Sequence, residues 1–203
     1  MSDIDLLALH GLAIKKSGSA AAVAEVLGLS AEEVQVALDT ACADGRAAGA
    51  GGTFMVTPAG RTWLDERYAE EFAGLRQNPA SAEAYEQFER INRKLLALMT
   101  DWQMMPAGNE RIPNDHSDAD YDADIVDQLG ALHERAERPL GGFAELEPRL
   151  GRYRERLEHA YDRVLAGEHG WISGARIDSY HTCWYELHED LLRLLGRQRE
   201  EPS

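Results

Sequence analysis

Histidines 181 and 188 lie seven residues apart in the last strongly periodic segment, where Trp184, Tyr185, Leu192 and Leu195 share their narrow helical face. Two imidazoles two turns apart, aimed into a helical bundle that also holds His133 or His159, are one way to bind a metal or an anion. The His-Glu-x-x-His and Glu-x-x-His spacings of helical metal sites are absent, however. Ring packing, with each nitrogen hydrogen-bonded to a neighbour, is the competing expectation. Glu186 and Asp190 fall elsewhere on that helix and are expected as solvated surface charge. A second polar group follows Asp101 and Trp102, where a long loop carries Asn114, Asp115 and His116. If that loop folds back across the mouth of a bundle, Asp101, Trp102, Asn114, His116 and His181 converge on a pocket suited to a small polar ligand. The candidate ligand-binding residues are therefore Asp101, Trp102, Asn114, His116, His181, Trp184 and His188.

Other chemistries find no support in the residues. The alternating aspartates from Asp118 to Asp124 lack the glycine and glutamate of a calcium loop, and capping with acids in the first helical turn explains them. There is no Gly-x-Ser-x-Gly elbow and no phosphate-binding glycine loop. Cys42 and Cys183 stand alone, outside any Cys-x-x-Cys pattern, and are expected as small core residues. No catalytic residue, metal or cofactor is assigned, and a non-catalytic protein is the expectation.

The elements that must position these groups are mainly helical. Helix signals run from Ile4 to Lys16, from Ala20 to Leu27 behind Ser19, and from Ala31 to Asp44 behind a Ser30/Glu33 capping box. Between the last two, Gly28-Leu29-Ser30 makes the short turn of a helix-turn-helix. Arg46 to Val56 follows as two short strands joined by Gly49-Ala50-Gly51-Gly52. Thr57 then caps a helix with Pro58 at its first position, with Trp63, Leu64 and Tyr68 facing the core. Gln77 to Ser81 breaks the pattern and is the linker candidate, dividing the chain into domains 1–78 and 79–203. Beyond it come a long helix ending near Met105-Pro106, a polar loop from Ala107 to Ala119, and a helix stopped by Pro139 and Gly141-Gly142. Helices from about Phe143 to Gly167 and Ala175 to Arg197 complete a four-helix bundle.

Residues 4 to 76 resemble the winged helix-turn-helix modules of MarR-like and PadR-like bacterial regulators, through the element order and the Phe54-Met55-Val56-Thr57-Pro58-Ala59-Gly60-Arg61 junction. The resemblance covers just over a third of the chain. It implies a three-helix core, a small β-wing and often a homodimer, in modules that serve either transcription or protein interaction.

Charge separates those two roles. The chain carries a formal charge of −15, negative in both halves, and neither half offers the basic field that draws a protein to nucleic acid. Between Ala31 and Asp44 the expected reading helix holds Glu32, Glu33, Asp39 and Asp44 and no Lys or Arg. Lys15, Lys16, Arg46 and Arg61 are the cations available for DNA, fewer than the roughly six to ten phosphate contacts of salt-sensitive binders. A regulatory or protein-interaction protein is therefore expected, with a protein partner or homodimer and a bundle suited to a small polar ligand. The alternatives are a MarR-like DNA-binding regulator, and a ligand-binding protein or enzyme built on the bundle histidines. No apolar run reaches the roughly 20 residues of a membrane span, and Asp3 and Asp5 stand where a signal peptide is basic, so a cytoplasmic location is expected.

Overall fold

The computed structural model describes residues 4–199, which form a mainly helical chain with two small antiparallel sheets. It divides into two compact units. One comprises the described residues up to Asn78 together with those from Glu186 onward, and the other runs from Pro79 to Tyr185. The break at 78/79 lies where the linker is expected, but residues from Glu186 onward group with the first unit rather than with 79–185.

In the first unit α1 (Ile4–Lys15), α2 (Ala20–Leu27) and α3 (Ala31–Ala43) pack on one another. Leu6, Leu9, Leu12, Val23, Leu38 and their neighbours are buried between them. Ser19 caps α2, accepting from the Ala22 amide at 3.2 Å, and Gly28 ends it in the left-handed conformation that favours glycine. Ser30 then caps α3 through the Glu33 amide at 3.3 Å. Strands β2 (Ala47–Ala50) and β3 (Thr53–Val56) form a hairpin with Gly51 and Gly52 at positive φ in its turn. The two-residue β1 (Ser17–Gly18) joins the other edge of β3, pairing Ser17 with Met55 and Gly18 with Phe54. Nothing in two small residues between helices marks a strand. It forms because the edge of β3 offers unpaired amides and carbonyls.

Thr57 fastens the sheet to α4 (Pro58–Glu71): its hydroxyl oxygen accepts from the Gly60 amide at 3.1 Å, and the hydroxyl donates to the Gly45 carbonyl at 2.7 Å. A Cβ at Gly60 would stand 2.0 Å from the Arg46 carbonyl oxygen. Backbone cannot yield as a side chain does, so Gly60→Ala is expected to destabilise this unit by about 1–3 kcal/mol through overpacking. Urea denaturation would measure it, and an unchanged midpoint would remove the close approach from the account. Leu64 and Tyr68 of α4 are buried as expected, whereas Trp63 is half-buried and carries Arg46 over its ring at 4.6 Å. The short α5 (Ala73–Gln77) follows, and its Arg76 donates to the carbonyls of Arg193 and Leu194 at 3.0 and 2.9 Å.

The second unit is built on α6 (Pro79–Gln103), α7 (Ala119–Leu146) and α8 (Gly151–Leu165), with the one-turn α9 (Gly170–Ser173). Helix α10 (Tyr180–Leu195) supplies its first residues, to Tyr185, to this unit and the remainder to the first. Two expectations are corrected here. The loop after α6 contains a hairpin, β4 (Met104–Ala107) with β5 (Glu110–Pro113), turning on Gly108 at positive φ. Helix α7 runs through Pro139 and Gly141-Gly142 to Leu146. A proline inside a helix costs about 3 kcal/mol, but Pro139, Leu140 and Phe143 are all buried, and their burial outweighs the lost amide bond.

Candidate functional site

The outward face of α3 is the first place to look for recognition. Val34, Ala37, Leu38 and Ala41 turn inward and are buried, which leaves Glu32, Glu33, Gln35, Val36 and Asp39 exposed. Val36 is 62% exposed. With Ile4, Leu29 and Ala37 it lines a cleft of about 410 Å³ that is edged by Asp5, Glu32 and Glu33. Of the cations proposed for phosphate, Lys15 is held by Glu186 at 2.8 Å, and Arg46 is bonded to Asp44 while lying over Trp63. Arg61 is exposed. Lys16, at a positive φ of 66°, follows α1 immediately. The β2–β3 turn carries no Lys or Arg.

Behind that surface is a buried polar group that sequence reasoning missed. His10 of α1 stands between Tyr68 of α4 and Asp190 of α10, with Nδ1 2.7 Å from the Tyr68 hydroxyl and Nε2 2.9 Å from Asp190 Oδ1. His10 is 1% exposed and Asp190 0%. The partners assign the tautomer: Nε2–H donates to the carboxylate, and the hydroxyl donates to Nδ1. Glu186 is buried too, which corrects its assignment with Asp190 to the solvated surface. The error came from taking α10 as a helix with one wet face, when Glu186, Leu187, His188, Asp190 and Leu191 are all buried. The signal available was His10 itself, set among Leu9 and Leu12 in an apolar helix, since a buried imidazole must find partners. An acid, an imidazole and a hydroxyl in a row have the order of a nucleophilic triad, but the phenol is 2% exposed and cannot meet a substrate. The arrangement is a lock between α1, α4 and α10.

The narrow face proposed for α10 divides between the two units. His188, buried, belongs to the first, while His181 and Trp184 belong to the second. Trp184 stacks on Phe88 with ring centroids 4.8 Å apart and donates its indole N–H to Asn92 Oδ1 at 3.0 Å. Burial holds the His181 imidazole below its ordinary range. A histidine depressed in the folded chain contributes stability above its unfolded value of about 6.5, and that contribution is lost as pH falls through it. His181→Gln is expected to flatten the loss of stability between about pH 7 and pH 5. Urea titrations at both pH values would test it, and an unaltered pH dependence would rule out a desolvated His181.

At the hairpin end of α6 the structure gathers Trp102, Asn114 and His116, and adds Asp122. Asn114 Nδ2 donates to Asp122 Oδ1 at 2.8 Å and to the Trp102 carbonyl at 3.2 Å. His116 Nδ1 lies 2.9 Å from Asp122 Oδ2, and its ring packs on Trp102 with centroids 4.3 Å apart. His116 holds a φ of 59°, and its amide donates to Asn114 Oδ1 at 3.0 Å. Asp118 caps α7 through the Tyr121 amide at 3.0 Å, as the run of aspartates suggested. The Asp101 carboxylate makes none of these bonds, being bonded to Arg111 of β5, and His181 makes none of them either.

A third group could hold a cation. The ligating atoms of His133, Glu137 and Glu158 lie within 4.8 Å of one another. His133 Nε2 is 3.0 Å from Glu158 Oε2, while Arg154 is bonded to Glu137 and already supplies positive charge there. A metal would have to displace that guanidinium. The phenols of Tyr161, stacked on His133, and of Tyr180 are pushed above their ordinary range by burial and nearby carboxylates. Neither is a base at neutral pH. The i, i+4 spacing of His133 and Glu137 was visible in the sequence; Glu158 came from another helix and was not.

No family model, curated protein or solved structure matches this chain.

Proposed function

We propose that the protein is a non-catalytic interaction protein, made of a winged helix-turn-helix module and a helical bundle, whose reading helix meets another protein instead of DNA. The observation that carries this is the outward face of α3, which presents Glu32, Glu33 and Asp39 around the exposed Val36. A polyanion approaching it meets carboxylates, and Lys15 and Arg46 are engaged within the chain. The order α1, β1, α2, α3, β2, β3, α4, with β3 central in its sheet, supports the winged-helix assignment. The Asn114, His116 and Asp122 group is the weaker place for a small polar ligand, because its carboxylate and amide already bond one another.

The deciding experiment is fluorescence anisotropy of labelled mixed-sequence duplex DNA with the full chain at low ionic strength, where phosphate contacts are strongest. No saturable binding is expected. Tight binding that weakens steeply with added salt would replace this function with that of a DNA-binding regulator.

A further inference from the structure

The acidic balance of the chain is interrupted at one place in the second unit. Arg90, Arg93 and Lys94 lie at i, i+3 and i+4 on α6, a spacing that puts them on one helix face. Arg135 of α7 joins them across a groove of about 580 Å³ that also takes in Ile91 and Leu132. All four cations are exposed. None of the four forms an ion pair or hydrogen bond among the described residues, whereas Arg111, Arg152, Arg154, Arg156 and Arg163 of the same unit each hold a carboxylate. Three acids of α6 and α7 are engaged elsewhere: Glu89 accepts from Asn92 at 3.1 Å, Asp101 is bonded to Arg111, and Glu137 to Arg154, while the exposed Glu86 and Glu134 pair with none of the four cations. In a chain of net charge −15, four unpaired cations converging on one groove make a local positive patch open to an external counter-charge.

We propose that this groove between α6 and α7 binds an acidic amphipathic helix of a partner protein. Ile91 and Leu132, both largely buried, make an apolar floor, and the cations stand at its sides. That profile matches a helix with an apolar ridge flanked by carboxylates. A second cleft of about 400 Å³ shares Lys94, Ala97, Leu132 and Arg135 with the first and extends the groove toward Asp101. From Gln87 to Asp101, α6 advances about 21 Å, the length of a four-turn helix. Charges farther apart than about 8 Å are screened at physiological ionic strength, so the local cations set the potential there, not the net charge. A nucleic acid fits less well, because the groove has no aromatic ring on which to stack a base and fewer cations than the roughly six to ten phosphate contacts of salt-sensitive binders. The groove residues belong to α6 and α7 and not to α3, so R93E with K94E, which leaves α3 untouched, tells DNA held at this groove from DNA held by the winged helix.

The test is anisotropy of a labelled synthetic helix of about 15 residues with leucines at i, i+3, i+4 and i+7 and glutamates elsewhere, titrated with the full chain. Saturable binding is expected, weakened about tenfold or more when glutamines replace the glutamates or when the protein carries R93E with K94E. Both substituted side chains are exposed, and circular dichroism would verify folding; Arg135→Gln serves if the double variant fails to fold. Equal affinity for a lysine-bearing version of the peptide, or indifference to these substitutions, overturns the proposal. So does tighter binding of single-stranded DNA that the same variants abolish. Self-association of the chain that R93E with K94E dissolves would likewise overturn it, by giving the groove to a second copy.

Discussion

His10→Ala is expected to lower the unfolding free energy of the first unit by about 3–5 kcal/mol, the range for leaving a buried charge, here the Asp190 carboxylate, without its partner. The imidazole donates to Asp190 at 2.9 Å and accepts from Tyr68 at 2.7 Å, with all three residues almost wholly out of solvent. Its removal takes a donor from a buried carboxylate and an acceptor from the Tyr68 hydroxyl, and opens a cavity between α1 and α4, so the effects compound. Asp190→Asn should be milder, about 1–2 kcal/mol, because an amide oxygen can still accept from Nε2–H. Replacing both partners, His10→Leu with Asp190→Leu, should recover most of the loss, since apolar groups of similar volume carry no desolvation penalty. Urea unfolding followed by far-UV circular dichroism would measure all three. A His10→Ala loss under about 1 kcal/mol would mean that water reaches the site and that the lock does not exist.

In the second unit, Trp184→Ala should cost about 3–5 kcal/mol. The indole is 1% exposed, lies parallel to Phe88 at 4.8 Å and to Tyr180 at 6.2 Å, and donates to Asn92. Truncation removes a large buried surface and leaves the Asn92 amide oxygen without that donor. Trp184→Phe separates the two contributions: the stack persists and the N–H is lost, for about 1–2 kcal/mol. Thermal melts by circular dichroism, compared with those of the parent chain, would test the order. If the phenylalanine variant were as unstable as the alanine variant, the hydrogen bond and not ring packing would dominate this core.

Much of the helical framework was legible because its signals are local. Ser19, Ser30 and Thr57 cap the helices they were expected to cap, through bonds spanning three residues. The charge of α3 is equally local, since a helix displays every residue that its apolar stripe does not bury. Where distant pairing decides, the sequence was a poor guide. Strand β1 exists because β3 lends it an edge, and the β4–β5 hairpin carries Pro106 and Pro113, residues that ordinarily argue against a strand. Helix α7 crosses Pro139 because its apolar side is covered on both sides of the break.

The candidate sites divide along the same line. Trp102, Asn114 and His116 came together as a loop near a helix end would bring them, while Asp122 joined from the next helix. The sequence alone determined the mainly helical character and the scarcity of cations on α3, because periodicity, caps and composition act over a few residues. Tertiary structure alone decided that Asp190 is buried against His10 and that Arg135 joins Arg90, Arg93 and Lys94 in one groove. Those pairings depend on which helix covers which face, and no spacing along a chain encodes the neighbour across a packed interface.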